Sequence, residues 1–172
     1  GDSSTAEREG PLPTFARVAN DEALLDVVES RAREALASNP QAHVCVVVRE
    51  VAAVAPMVDA LGPRLRGTAA VRRGHNKEFV FAPGVTVTNF RQIKGLEFDA
   101  VIVIEPSEVF YPDTKQGQRD FYTLTTRARD ALDFVGLGEP NVMLSRALGA
   151  GLVRAEEEAV PAADLDELDQ PL

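Results

Sequence analysis

VTVTNFRQIKGLEFDAVIVIEP, running from Val85 to Pro106, is the stretch that decides how the chain reads. Val85–Thr88 is a short β-branched run and Ala100–Ile104 is almost wholly apolar, the pattern of strands covered on both faces. The piece between them is too short for a full crossover helix and holds one or two helical turns. Lys94-Gly95 lies in that piece, where glycine permits a positive φ or the close approach of another group. Glu105-Pro106 closes the second strand. One polar excursion later comes FYTLTTRARDAL, Phe121–Leu132.

Outward from this centre, strands and helices alternate. Thr14–Val18 reads as a strand, and Asn20 caps a helix over Asp21–Ser38 whose apolar face is Leu24, Leu25, Val28, Ala32, Ala35 and Leu36. Asn39-Pro40 ends it. His43–Val48 is a continuous apolar strand with Arg49 and Glu50 just past its carboxyl end. Val51–Leu61 reads as a helix that Pro56 confines to its later half and Gly62-Pro63 breaks. Residues 64–78 are basic without pattern, Glu78–Phe81 reads as a small strand, and Pro83-Gly84 as a turn. Pro106–Gly117 reads as a loop, Gln118–Ala131 as a helix, Leu132–Val135 as a strand and Val142–Leu148 as a last helix. This alternation predicts an α/β domain, a three-layer arrangement around a parallel sheet.

The 172 residues, 45% of them hydrophobic, suffice for one modest core. The expected organisation is a flexible segment over 1–13, a domain over 14–153 and an acidic, disordered tail over 154–172. Residues 155–172, after Arg154, hold seven of the nine net negative charges, so residues 1–154 sit near neutrality at −2 and acidity does not argue against nucleic acid. No run is long and apolar enough for a membrane span. Cys45 stands alone inside an apolar run and reads as a small buried hydrophobe, with a cytoplasmic setting as the default.

Ligands of open parallel sheets bind beyond the carboxyl ends of the strands. Arg49 stands there, residues 89–97 follow Thr88 directly, and Arg127 lies on a predicted helix. Two guanidinium groups on one cleft suit phosphate oxygens, because each is a permanently charged fork of donors. Glu97 is placed to accept from a ribose hydroxyl. Spacing alone also fits a salt-bridged Arg49, solvated Arg127 and Arg129, and an ordinary turn at Lys94-Gly95. His43, His75 and Cys45 make no metal set, and no Ser-His-acid or Cys-His pattern is present. The phosphate-gripping loop GxxxxGK[ST] is missing, so these arginines have no nest of backbone amides beside them.

These residues resemble two helicase motifs. Val85–Ile104 resembles motif V of superfamily 1 helicases of the UvrD/Rep type, T-x-H-x-[AS]-K-G-L-E-[FW]-x-x-V, through Lys94, Gly95, Leu96, Glu97, Phe98 and Val101. Phe121–Leu132 resembles motif VI, L-Y-V-A-[LM]-T-R-A-[RT], through Tyr122, Thr126, Arg127, Ala128 and Arg129, and Val44–Arg49 looks like motif IV. Asn89 and Arg91 replace the usual Thr and His of motif V, and Val48 stands where an adenine-stacking aromatic is common. The resemblance implies the second RecA-like domain of the motor (2A), a P-loop NTPase fold lacking its own Walker A loop. It implies that Arg49 and Arg127 contact the γ-phosphate as catalytic groups, that Gly95 and Glu97 help bind nucleotide, and that Asn89, Phe90 and Arg91 meet nucleic acid. ATP and Mg2+ would then bind in the full-length protein, against a separate N-terminal RecA-like domain, and not tightly to this domain alone.

Only 35 residues separate Arg49 from Val85, where UvrD-like enzymes insert a large domain. That shortness resembles the HelD-like branch, whose members bind RNA polymerase. The rival expectation is a degenerate, non-catalytic helicase-like module that binds protein, RNA polymerase included.

Overall fold

The computed structural model describes residues 10–75 and 80–156. Seven strands form one parallel sheet: β1 (Thr14–Arg17), β2 (His43–Val48), β3 (Val71–Arg73), β4 (Gly84–Asn89), β5 (Phe98–Ile104), β6 (Ala128–Gly136) and β7 (Arg154–Glu156), in the order β3-β4-β2-β5-β6-β1-β7. Four helices connect them: α1 (Asp21–Ser38), α2 (Val54–Arg64), α3 (Lys115–Thr125) and α4 (Val142–Gly149). All six residues of β2 and of β4 are buried; β2 is apolar after His43, whereas β4 alternates valine with the buried polar Thr86 and Thr88.

Alternation along the central strands makes two cores. Val44, Val46 and Val48 face Leu24 and Val28 of α1 and Leu61 of α2. Cys45 and Val47 face the other way, into Phe90, Phe98, Tyr111, Phe121 and Leu124. The sheet is thus covered by α1 and α2 on one face and by α3, α4 and the 90–97 connection on the other. The aromatic core lies entirely on that second face, beside the two motif-bearing stretches.

Local chemistry explains the boundaries. The Asn20 side chain accepts from the Ala23 amide at 2.8 Å and starts α1; Asn141 does the same for Leu144 at the start of α4. Pro56 falls in the first turn of α2, where a missing amide costs nothing, after a short 3-10 turn over Val51–Ala53. Gly62-Pro63 does not break this helix, contrary to expectation. Pro63 sits in the last turn, and the Leu65 amide still reaches the Leu61 carbonyl at 3.2 Å.

The expected Gln118–Ala131 helix is corrected at both ends. α3 starts earlier, at Lys115, with the Thr114 hydroxyl accepting from the Gly117 amide at 3.0 Å. It stops at Thr125, because the hydroxyls of Thr123, Thr125 and Thr126 all turn back onto carbonyls of the preceding turn. The chain then enters β6 at Ala128, so Arg127 lies between helix and strand and Arg129 and Ala131 lie in the strand.

Both edge strands went unread in the sequence. β3 lies within the basic stretch, and β7 begins inside the segment assigned to the acidic tail. Each has three residues and carries charge, which suits an exposed sheet edge. β7 is held by the Arg154 amide on the Pro13 carbonyl at 2.8 Å and by an Arg31–Glu156 ion pair. Of the expected Glu78–Phe81 strand, residues 78 and 79 lie outside the described residues, and Val80 and Phe81 are not in a strand. Residues 1–9 and 157–172 also lie outside them.

Candidate functional site

The residues singled out in the sequence fall into two clusters at opposite ends of the sheet. The first surrounds an open cleft of about 690 Å³ beyond the carboxyl ends of β2 and β4, lined by Arg49, Glu50, Val51, Asn89, Arg91, Gln92, Val109, Phe110 and Pro112. Arg49 leaves β2 directly after Val48, which pairs with Asn89 at the end of β4. The Asn89 side chain accepts from the Arg91 amide at 3.0 Å and starts a 3-10 turn over Phe90–Gln92. That turn holds the Arg91 backbone at the cleft wall, with the residue itself exposed.

The guanidinium of Arg49 lies over two rings, 4.8 Å from the centroid of Phe90 and 5.4 Å from that of Tyr111. Its Nη2 donates to Asp120 Oδ2 at 3.5 Å, and the other Asp120 oxygen accepts from Gln116 Nε2 at 2.7 Å. Phe90 is only 2% exposed, so it is not a free face for a base to stack on. It lies beneath Arg49, with the guanidinium over the ring and the Lys94 ammonium 5.8 Å from its centroid. The Tyr111 hydroxyl is buried without a hydrogen-bond partner, and burial pushes its pKa up.

The second cluster lies at the amino ends of β5 and β6. Gly95 has φ +80°, and an added Cβ there would meet nothing within 4 Å. Arg127 Nη1 donates to the Leu96 carbonyl at 3.3 Å, and the Phe98 amide donates to the Arg127 carbonyl at 2.9 Å. Arg127 Nη2 donates to Thr126 Oγ1 at 3.1 Å, while its Nε is buried with no partner. Glu97 is exposed and pairs with Arg129 Nε at 3.5 Å, and Arg129 Nη1 also lies 3.7 Å from Asp99. The KGLE and TRAR stretches, far apart in sequence, thus form one polar surface.

Arg49 and Arg127 do not converge on one cleft within this domain. Arg127 precedes Ala128, which pairs with Phe98 at the start of β5; Arg49 follows Val48, whose neighbour Val47 pairs with Val103 near the end of β5. At about 3.3 Å per residue, the run from Phe98 to Val103 alone sets the two ends of the sheet about 16 Å apart. Arg49 belongs instead with Asn89 and Arg91. Asp120, Gln116 and Tyr111 were not legible as site residues. The four-residue spacing of Gln116 and Asp120 on one helix face was the available signal, and nothing in the sequence tied it to Arg49.

Residues 84–135, which span both the KGLE and TRAR stretches, match the family model of the UvrD-like helicase C-terminal domain. No curated protein matches the chain. Among solved structures, the C-terminal domain of a possible DNA helicase from Lactobacillus plantarum WCFS1 is similar at 29% identity and a TM-score of 0.70, over 87% of this chain and 88% of that one. The parallel α/β sheet is consistent with the RecA-like fold of superfamily 1 helicases.

Proposed function

Starting from a domain of the UvrD-like helicase C-terminal kind, we propose that this chain is the second RecA-like motor domain of an ATP-dependent helicase or translocase. It works by completing an ATP site whose phosphate-gripping loop belongs to a separate RecA-like domain of the same polypeptide. The observation that carries this reading is the junction of Arg127 with Leu96. It presents a half-buried guanidinium with an unpartnered Nε beside the open, positive-φ Gly95 and the exposed Glu97.

An anion is the ligand such a group calls for. Arg127 is only partly buried and permanently charged, and a phosphoryl oxygen is an acceptor suited to the accessible part of its fork. Arg127 would neutralise charge on the γ-phosphoryl group as it transfers, an effect that grows when domain closure excludes water. Gly95 leaves room for the approaching nucleotide, and Glu97 is placed for a ribose hydroxyl once Arg129 yields it. Magnesium would come with the nucleotide and the other domain, and its role is to neutralise phosphate charge. Arg49 is the second candidate γ-phosphate ligand once the two domains close, and Arg91 and Asn89 suit the phosphodiester backbone of a nucleic acid at the carboxyl-end cleft.

The finer assignment to the HelD-like, RNA polymerase-associated branch has one support. Between β2 and β4 the described chain holds α2 and β3, both packed onto the domain itself.

The test is nucleotide affinity and turnover. This chain alone should bind ATP no tighter than about millimolar, the affinity of a few phosphate contacts. The full-length protein should bind it far more tightly and hydrolyse it faster when single-stranded nucleic acid is added. A full-length protein without ATPase activity in any of these conditions would overturn the motor reading.

A further inference from the structure

The carboxyl-end cleft is not only basic. Val51 and Val109, 62% and 85% exposed, line it together with Phe110. Phosphate recognition by Arg91 and Asn89 gives these apolar side chains no role. Arg91 is exposed and has no ion-pair partner among the described residues. Such a surface suits a ligand that carries negative charge and aliphatic groups together.

This chain holds a segment of that kind. Residues 164–169 read DLDELD, four carboxylates around Leu165 and Leu168. They lie in the stretch 157–172, which has six carboxylates and no Lys or Arg. The sheet delivers this stretch to the cleft. β7 runs parallel to its neighbours, and its last residue, Glu156, pairs with Ala16, which pairs with Val135. Val135 pairs with Ile104, the residue after Val103, whose partner on β2 is Val47. Glu156 is therefore level with Val48, and the chain leaves β7 at the end of the sheet where the cleft lies. The Arg154 amide on the Pro13 carbonyl and the Arg31–Glu156 ion pair fix that point of departure. Four strand spacings separate β7 from β2, about 19 Å. The eight residues from Glu156 to Asp164 span up to about 26 Å when extended, so DLDELD is the part that reaches the cleft.

We propose that the 164–169 segment docks in this cleft, with Leu165 and Leu168 against Val51, Val109 and Phe110 and its carboxylates beside Arg91 and Arg49, and masks the cleft until a nucleic acid displaces it. The docking rests on topology, reach and complementarity; the masking rests also on the nucleic-acid role given to the cleft above. Glu50 on the cleft wall and Asp120 beside Arg49 limit the attraction between charges, so the two leucines must supply part of the affinity. Tethering makes weak contacts sufficient, because a segment on a short link meets its site at an effective concentration of about a millimolar. A segment docked about 70–90% of the time leaves the cleft open in about 10–30% of molecules and weakens nucleic-acid binding about three- to tenfold.

The experiment compares the 172-residue chain with a Leu165→Ser/Leu168→Ser variant, which keeps every charge. Without nucleic acid, the variant should differ from wild type in the backbone amide NMR signals of Val51, Val109 and Phe110, and the differences should persist on dilution. Fluorescent single-stranded oligothymidylate, followed by anisotropy at fixed ionic strength, should bind the variant about three- to tenfold tighter. Unmoved signals overturn the docking and leave the nucleic-acid role of the cleft standing. Tightening that appears only when Asp164, Asp166, Glu167 and Asp169 are changed to Asn or Gln is long-range repulsion, and it also overturns the docking. Differences lost on dilution give the groove to the tail of a second copy and overturn the intramolecular form. Moved signals with no oligothymidylate binding by either chain overturn the nucleic-acid role of the cleft, and the masking with it.

Discussion

Replacing Phe90 separates two accounts of the motif V turn. The sequence places this ring among residues that meet nucleic acid, and the structure buries it to 2% exposure under Arg49. Truncating a buried Phe to Ala costs about 3–5 kcal/mol in lost transfer energy and cavity. Phe90→Leu keeps most of the volume, at a packing cost of about 1 kcal/mol. It also loses the edge-on contact with Tyr111 at 6.1 Å and the cation–π contacts with Arg49 and Lys94. These are worth about 0.5–1 kcal/mol each at a partly exposed site. The totals are about 3–5 kcal/mol for the Ala variant and about 2.5–4 kcal/mol for the Leu variant. For a chain of this length that lowers Tm by about 6–20 °C and 5–16 °C respectively. Urea unfolding with the m-value held constant reads the free energies, and oligonucleotide binding below the melting range reads the function. The core account expects a large stability loss with binding kept within a few fold for Phe90→Leu. It is refuted if Phe90→Leu unfolds within about 0.5 kcal/mol of wild type yet loses binding more than about tenfold.

Other consequences are smaller. Gly117→Ala should cost several kcal/mol, whereas Gly95→Ala, with open space around its Cβ, should cost about 1 kcal/mol through its positive φ alone; paired urea melts distinguish them. Tyr111→Phe removes a buried hydroxyl that has no partner, so the melting temperature should hold or rise. His43, whose pKa burial pushes below 6.5, binds its proton more readily unfolded. Stability should therefore fall as pH drops through 6.5 towards the lower folded value, and His43→Gln should flatten that part of the stability–pH curve. Cys45 is fully buried and burial raises its thiol pKa, so it should react with an alkylating reagent only as the chain unfolds.

The fold was legible where periodicity and capping agree. His43–Val48 and Asp21–Ser38 have the bounds their patterns indicate, because five consecutive buried apolar residues after His43 and an Asn cap leave little choice. It was not legible at 115–131. There a helical apolar spacing runs into a strand, and the switch is made by three threonine hydroxyls that no periodicity reveals. The edge strands β3 and β7 are set by pairing with β4 and β1 rather than by their own composition. For the site, the contents of the two motifs were readable but their grouping was not. Arg49 joins Asn89 and Arg91 through strand register, and Arg127 joins Leu96 through a tertiary hydrogen bond; both depend on sheet order.

The central claim is that Arg127 acts on a nucleotide completed from another domain. In the full-length protein, Arg127→Ala should leave ATP affinity within a few fold of wild type while single-turnover hydrolysis falls by about 10³-fold or more, the loss expected for an arginine that stabilises the transferring phosphoryl group. Hydrolysis that persists near the wild-type rate in a folded Arg127→Ala protein contradicts the account.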